Sequence, residues 1–159
     1  YKNLRNRNWR EFPVSPSAID AILLTHAHID HSGYLPKLVQ KGFKGPIYCT
    51  AATRDLCEIL LYDCAHLQEE EANRANKYGY SKHKPAIPLF TSEDVETTLP
   101  LFKVVPWGKK QTLLSDVECS FHHAGHILGA SCIQVFSENT KILYHDVRTY
   151  SKCVHSNIL

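Results

Sequence analysis

The chain has 159 residues with 18 Lys and Arg against 16 Asp and Glu, a net charge of +2 with histidine neutral. A chain this long buries roughly two thirds of its unfolded surface without a disulfide framework, and the charge balance excludes a histone-like polycation or an acidic disordered segment. Hydrophobic content of 43% and charged content of 21% are those of a globular domain, and no apolar run approaches the roughly 20 residues of a membrane-spanning helix.

Residues 1–10 are polar and basic with no apolar stretch behind them, so they do not read as a signal sequence. Methionine is absent altogether, as expected of a fragment or a processed product. Residues 19–24 (IDAILL) form a short, almost continuous apolar run, the pattern of a strand buried on both faces. Ser32 and Gly33 lead into a helix whose apolar positions are Tyr34, Leu35, Leu38 and Val39, with Pro36 in its first turn and Gly42 closing it. A second short strand is expected over 46–49. Thr50 then caps a longer helix with apolar positions Leu56, Ile59, Leu60 and Cys64, running out into the polar segment QEEEANRANKYG. Residues 80–88 (YSKHKPAIP) read as a loop, and Thr91 with Asp94 starts a short helix through a weak capping box. Past Pro100 the texture changes to strands, LFKVV, VECSFHH, SCIQVF and KILYH, with turns at Gly108, at Gly125 and Gly129, and at Glu138 and Asn139.

Ten histidines are many for this length. The six cysteines form no CxxC pair, so the usual structural zinc signature is missing. They read as reduced thiols, which makes the cytoplasm the expected compartment. The histidines concentrate in His26-Ala27-His28-Ile29-Asp30-His31, directly after the first strand. Imidazole and carboxylate are ligands that zinc, iron and manganese accept. On extended backbone His26 and His28 point the same way and can grip one ion, while Asp30 and His31 can face a second. Composition alone would produce this pattern in about two chains per thousand, so chance is a poor explanation. Further ligands must come from distant sequence, and two strand ends offer them: His126, between Gly125 and Gly129, and Asp146, a carboxylate suited to bridging.

At these residues the chain resembles the metallo-β-lactamase superfamily and, within it, the β-CASP group of nucleases. THAHIDHSG at 25–33 is similar to the group's second motif, AGHILGAS at 124–131 to its third and YHD at 144–146 to its fourth. GFKGPIYCT and YSKHKP resemble bacterial members that process RNA. The resemblance implies an α/β fold of the four-layer αββα type with mixed sheets and the site at the sheet edges. It implies two zinc ions, one held by His26, His28 and His126, the other by Asp30 and His31, with Asp146 bridging. The reaction implied is hydrolysis of RNA phosphodiester bonds by water activated at the metals. Asp30 would be the catalytic residue that orients this water or takes its proton.

The pattern also departs from the family's. The first-motif aspartate has no counterpart before Ile19, the inserted domain and the later acid histidine are not found, and His145 stands where glycine is usual. Residues 1–159 are therefore expected to be a partial domain with no second domain, binding metal but hydrolysing RNA poorly on its own. An uncovered sheet edge would favour self-association as a homo-oligomer. Two other functions share these residues: a small-molecule hydrolase of thioesterase or lactamase type, and a non-catalytic metal-binding interaction module. His66, the Glu69-Glu70-Glu71 run, and Cys153 with His155 read as ordinary surface residues; for His122 and His123 packing competes with a supporting role behind the metal ligands, and for the Lys82-His83-Lys84 loop plain solvation competes with contact to phosphates.

Overall fold

A computed structural model describes residues 6–138 and 140–144. Its first sheet is parallel, built from β1 (Ile22–Leu23), β2 (Ile47–Cys49) and β3 (Phe102–Val104) in that order. The second is antiparallel, a meander of β4 (Gln111–Leu114), β5 (Val117–His123), β6 (Ser131–Ser137) and β7 (Thr140–Tyr144). Four helices connect the parallel strands: α1 (Ile29–Ser32), α2 (Leu35–Gln40), α3 (Ala51–Tyr78) and α4 (Ser92–Thr98). The expected αβ texture followed by a strand-rich half is what forms, with parallel and antiparallel pairing segregated into the two sheets.

Alternation along the short parallel strands explains the layers. Ile22, Ile47, Cys49 and Phe102 face the helices and pack with Leu35, Leu38, Cys57, Leu61, Phe90 and Val95. Leu23 and Tyr48 face the other way and meet Val105, Cys119, Phe121 and Ile133 between the sheets. Helices, parallel sheet and antiparallel sheet thus form three successive layers of the αββα arrangement. Each fully buried large side chain at these contacts, such as Phe121 or Leu61, contributes about 1.5–3 kcal/mol of transfer free energy.

Several elements differ from their expected form. The run at 19–24 contributes only Ile22 and Leu23 to the ladder, followed by one further bond from Leu24 N to Tyr48 O. β4 has no signal in the sequence because its burial alternates but its polarity does not, with Gln111 half-buried and Leu114 exposed. The long helix does not end at its polar stretch but runs 28 residues to Tyr78, where Gly79 stops it at φ 68°. Its buried line is Thr53, Cys57, Leu61 and Ala65; Ile59 is exposed, at 66%.

The polar end of α3 is held by side-chain hydrogen bonds beside the buried Ala72 and Ala75. Gln68 accepts from Leu89 N at 3.0 Å, and Asn76 brackets Ala86 through its N and O at 2.7 and 2.9 Å. Glu69 accepts from both the amide and the hydroxyl of Ser92, each at 3.0 Å. Half-buried Glu69 therefore fixes the start of α4 and is not the plain exposed residue expected of the acidic run. Thr91 and Asp94 complete a full reciprocal capping box there.

Candidate metal centre

The site grows out of the C-terminal end of β1. Past Leu24, Ala27 is fully buried in the helix-side core, and the rings of His26 and His28 meet edge to face with centroids 4.9 Å apart. His26 is buried at 2% exposure, and its Nδ1 is hydrogen-bonded to the Thr25 hydroxyl at 2.9 Å, which fixes the ring's orientation. The chain then turns into α1, where the Ser32 hydroxyl donates to the carbonyls of Ala27 and His28 at 2.9 and 3.1 Å. This serine ties the turn back onto the segment that carries both histidines.

The third arm comes from the other sheet. The loop between β5 and β6 is closed by Ala124 N to Ala130 O at 3.0 Å and Ala130 N to Ile127 O at 2.9 Å. Gly125 and Gly129 take φ values of 70° and 81°, which only glycine adopts readily. Two clamps seat this loop. Thr50 and Thr53, at the start of α3, both donate their hydroxyls to Gly129 O, at 2.7 and 2.9 Å. Ser131 donates its amide and its hydroxyl to Thr25 O, each at 2.9 Å.

His126 is thereby brought to the other two histidines. Its Nε2 lies 3.1 Å from His28 Nδ1, and its ring centroid is 5.1 Å from that of His26. Ligand atoms of His26, His28 and His126 all fall within 4.8 Å of one another, the one metal-capable group of this kind among the described residues. His31 stands beside them, its ring 4.2 Å from that of His26, with Nε2 3.6 Å from Asp30 Oδ2. The Asp30 side chain is 80% exposed and opens to solvent. Asp146 and His145 lie outside the described residues, as do Cys153 and His155.

The donor set suits a borderline metal ion. Three imidazoles are the nitrogen ligands of many zinc sites, and ligands at about 2.0–2.1 Å around a tetrahedral ion stand about 3.4 Å apart. The 3.1 Å between His28 and His126 is close to that spacing.

The sequence marks Thr25 and Ser131 only as the ends of two motifs and Thr50 only as a helix cap; that these residues and Thr53 tie the two loops together has no local signal. A fully buried threonine at a helix start and a buried serine opening a strand are the only hint, since such hydroxyls must find acceptors. The other histidines are engaged locally: His122 with the Ser120 hydroxyl at 2.9 Å, His123 stacked on Trp107 at 3.7 Å, and His66 beside Glu70 at 3.5 Å. Burial pushes the thiols of Cys49 and Cys57 up to about 12 and that of Cys119 to about 11, so these three are inert packing groups.

An αβ layer against an antiparallel sheet, with histidines gathered from both, defines a metallo-β-lactamase-type domain. The metallo-beta-lactamase superfamily domain matches residues 5–152, and the chain belongs to that superfamily. It is 35% identical over 138 residues to "Ribonuclease TTHA0252" of Thermus thermophilus, covering 87% of this chain and 28% of that protein. It is 36% identical over 118 residues to "Transcription termination factor FttA" of Methanothermobacter thermautotrophicus, covering 72% of this chain and 16% of that one. The chain thus spans less than a third of the length of these relatives. Among solved structures it is similar to MEM-A1, a subclass B3 metallo-beta-lactamase from a soil metagenome, with a TM-score of 0.46 at 15% identity, over 89% of this chain and 44% of that one.

Proposed function

We propose that the chain is the metal-binding part of a zinc-dependent nuclease of β-CASP type that hydrolyses phosphodiester bonds in RNA. The observation that carries this reading is the convergence of His26, His28 and His126 from two different sheets. The ribonuclease named among its relatives supports RNA as substrate.

His26, His28 and His126 would hold one zinc ion, and Asp30 and His31, with Asp146, a second. Bound there, zinc supplies a Lewis acid that lowers the pKa of water towards neutrality and offsets charge on phosphoryl oxygens. The protein's own contribution is positioning. Thr25 holds the His26 ring, Ser32 holds the turn behind His28, and the two hydroxyl clamps hold His126. Asp30, open to solvent beside His31, orients water and accepts its proton at a carboxylate oxygen. Buried thiols at Cys49 and Cys57 suit a reducing cytoplasm.

The test is native mass spectrometry of protein purified without chelator, followed by an RNA cleavage assay beside thioester and β-lactam substrates. The parent is expected to carry zinc, His126→Ala to lose at least one ion, and slow RNA cleavage to vanish in Asp30→Ala. A metal-free parent, or turnover of a thioester or β-lactam in preference to RNA, would overturn the proposal.

A further inference from the structure

A series of hollows leads away from the histidine cluster across the face of α2. The first is lined by His31, Arg10, Phe12 and Tyr34. The next shares the last three and adds Trp9, Lys37 and Lys41. A third shares Trp9 and Ile87 with the second and continues along Lys82, His83 and Lys84. Consecutive hollows with shared walls make one groove, with His31, the neighbour of the metal-capable cluster, at one end and the basic loop at the other.

Its lining differs from the rest of the molecule. The whole chain nearly balances its charge, 18 basic against 16 acidic residues. Along the groove stand the exposed Arg10, Lys41, Lys82 and Lys84, with Lys37 buried among them and donating to Gln40 Oε1, and the one acidic side chain lining it is Glu11. Between the cations lie aromatic faces. Trp9 and Phe12 are exposed at 49% and 41%, and Phe12 packs on Tyr34 with ring centroids 5.4 Å apart. Lys37 Nζ sits 5.5 Å from the centre of the Trp9 ring.

The walls are fixed. Tyr34 donates its hydroxyl to Asn8 O at 3.0 Å, which straps the segment carrying Trp9 and Phe12 onto α2. Asn76 grips the basic loop through both backbone groups of Ala86. Cations for phosphates alternating with aromatic faces for bases are the pairing that single-stranded nucleic acid selects, because stacking is available only to unpaired bases. An acidic peptide would use the cations but would bring no base to stack on the exposed surface of Trp9.

We propose that this groove binds single-stranded RNA and leads it from the Lys82–Lys84 loop past Trp9 and Tyr34 to the histidine cluster. The proposal rests on the nuclease reading for its choice of RNA and for the direction of the track, but not for the binding itself. The experiment is fluorescence anisotropy of the full chain with a labelled single-stranded RNA of mixed sequence, without added metal, over a range of salt. Trp9→Ala is expected to weaken binding about tenfold or more, with partial recovery in Trp9→Phe. The double variant Lys82→Ala/Lys84→Ala should weaken binding and lower the slope of log affinity against log salt by about 1.4, at about 0.7 per phosphate.

These positions are exposed, and circular dichroism of each variant checks that it folds. Parent-like affinity in both folded variants, or equal competition by duplex RNA or polyglutamate, refutes the track. RNA cleavage by the parent that persists with those unaffected affinities would leave the nuclease reading standing without it. Binding lost in the variants, with no cleavage by the parent, would establish the track and remove the nuclease.

Discussion

Replacing Gly129 by alanine tests whether the loop clamp, and not the histidines alone, builds the cluster. Two costs arise at this position. Its φ of 81° costs an L-residue about 1–2 kcal/mol. An added Cβ would also stand 2.5 Å from Thr53 N, 2.8 Å from Thr53 Oγ1 and 2.9 Å from Thr50 Oγ1. Thr53 N belongs to the first turn of α3 and cannot yield, so the loop must lift. The hydroxyl bonds to Gly129 O at 2.7 and 2.9 Å then lengthen, at about 1 kcal/mol each. The sum is about 3–4 kcal/mol, and at about 2–4 °C per kcal/mol for a chain of this size the melting temperature should fall by about 10 °C.

Gly79 supplies the control. It has φ 68° but nothing within 4 Å of an added Cβ, so Gly79→Ala should show the backbone cost alone, about 1–2 kcal/mol. Thermal melts followed by circular dichroism, with zinc affinity from competition against a chromophoric chelator, read both consequences. Gly129→Ala should lower stability and zinc affinity together, whereas Gly79→Ala should lower stability only. A Gly129→Ala protein that melts beside Gly79→Ala and binds zinc like the parent would refute the clamp.

Three further outcomes follow from the same contacts. Glu69→Ala removes the acceptor for the amide and hydroxyl of Ser92 and should cost about 1–2 kcal/mol, seen in urea unfolding with zinc affinity unchanged. Thr91→Ala breaks the reciprocal cap of α4 and should cost about 1 kcal/mol, while Thr97→Ala, outside the cap, should cost less in the same measurement. Burial raises the Cys49 and Cys57 thiols from 9.0 to about 12, so between those values the unfolded chain binds fewer protons than the folded one. Their contribution to stability is complete below pH 9 and is lost as pH climbs towards 12; the urea midpoint should drop from pH 8 to pH 10.5, less steeply in Cys57→Ala.

The histidines of the site could be read from the sequence because their spacing is local. His26 and His28 share a side through extended backbone, and His126 stands between glycines that announce a tight loop. What brings the loops together is not local. Thr50 and Thr53 act on a carbonyl 79 and 76 residues away, and Ser131 on one 106 away, distances over which no periodicity operates. The long helix hid its extent for a related reason. Its second half is mostly polar, which usually weakens a helix reading, but Ala72 and Ala75 are buried there and Gln68, Glu69 and Asn76 hold it to the segment that follows. In its first half the expected Leu56, Leu60 and Cys64 pack partly buried against the core, Ile59 is exposed, and the fully buried line lies beside them. That line uses Thr53, Cys57, Leu61 and Ala65, mostly small side chains that let the helix lie close to the sheet.

Neither half of the molecule contains the cluster. His26 and His28 leave the C-terminal end of a parallel strand, the edge where open α/β sheets place their ligands, whereas His126 leaves an antiparallel hairpin. The separation of these arms is set by the side chains between the sheets, Leu23 and Tyr48 from one and Phe121 and Ile133 from the other, and by the Thr25 carbonyl that Ser131 grips twice. The 3.1 Å between His28 and His126 is therefore a consequence of the packing of the core. Because close-packed interiors do not deform continuously, that packing holds the imidazoles within reach of one another without a covalent link. The same construction leaves Asp30 and His31 on a short turn at the solvent edge, beside the groove that His31 lines, in the part of the site that the core does not enclose.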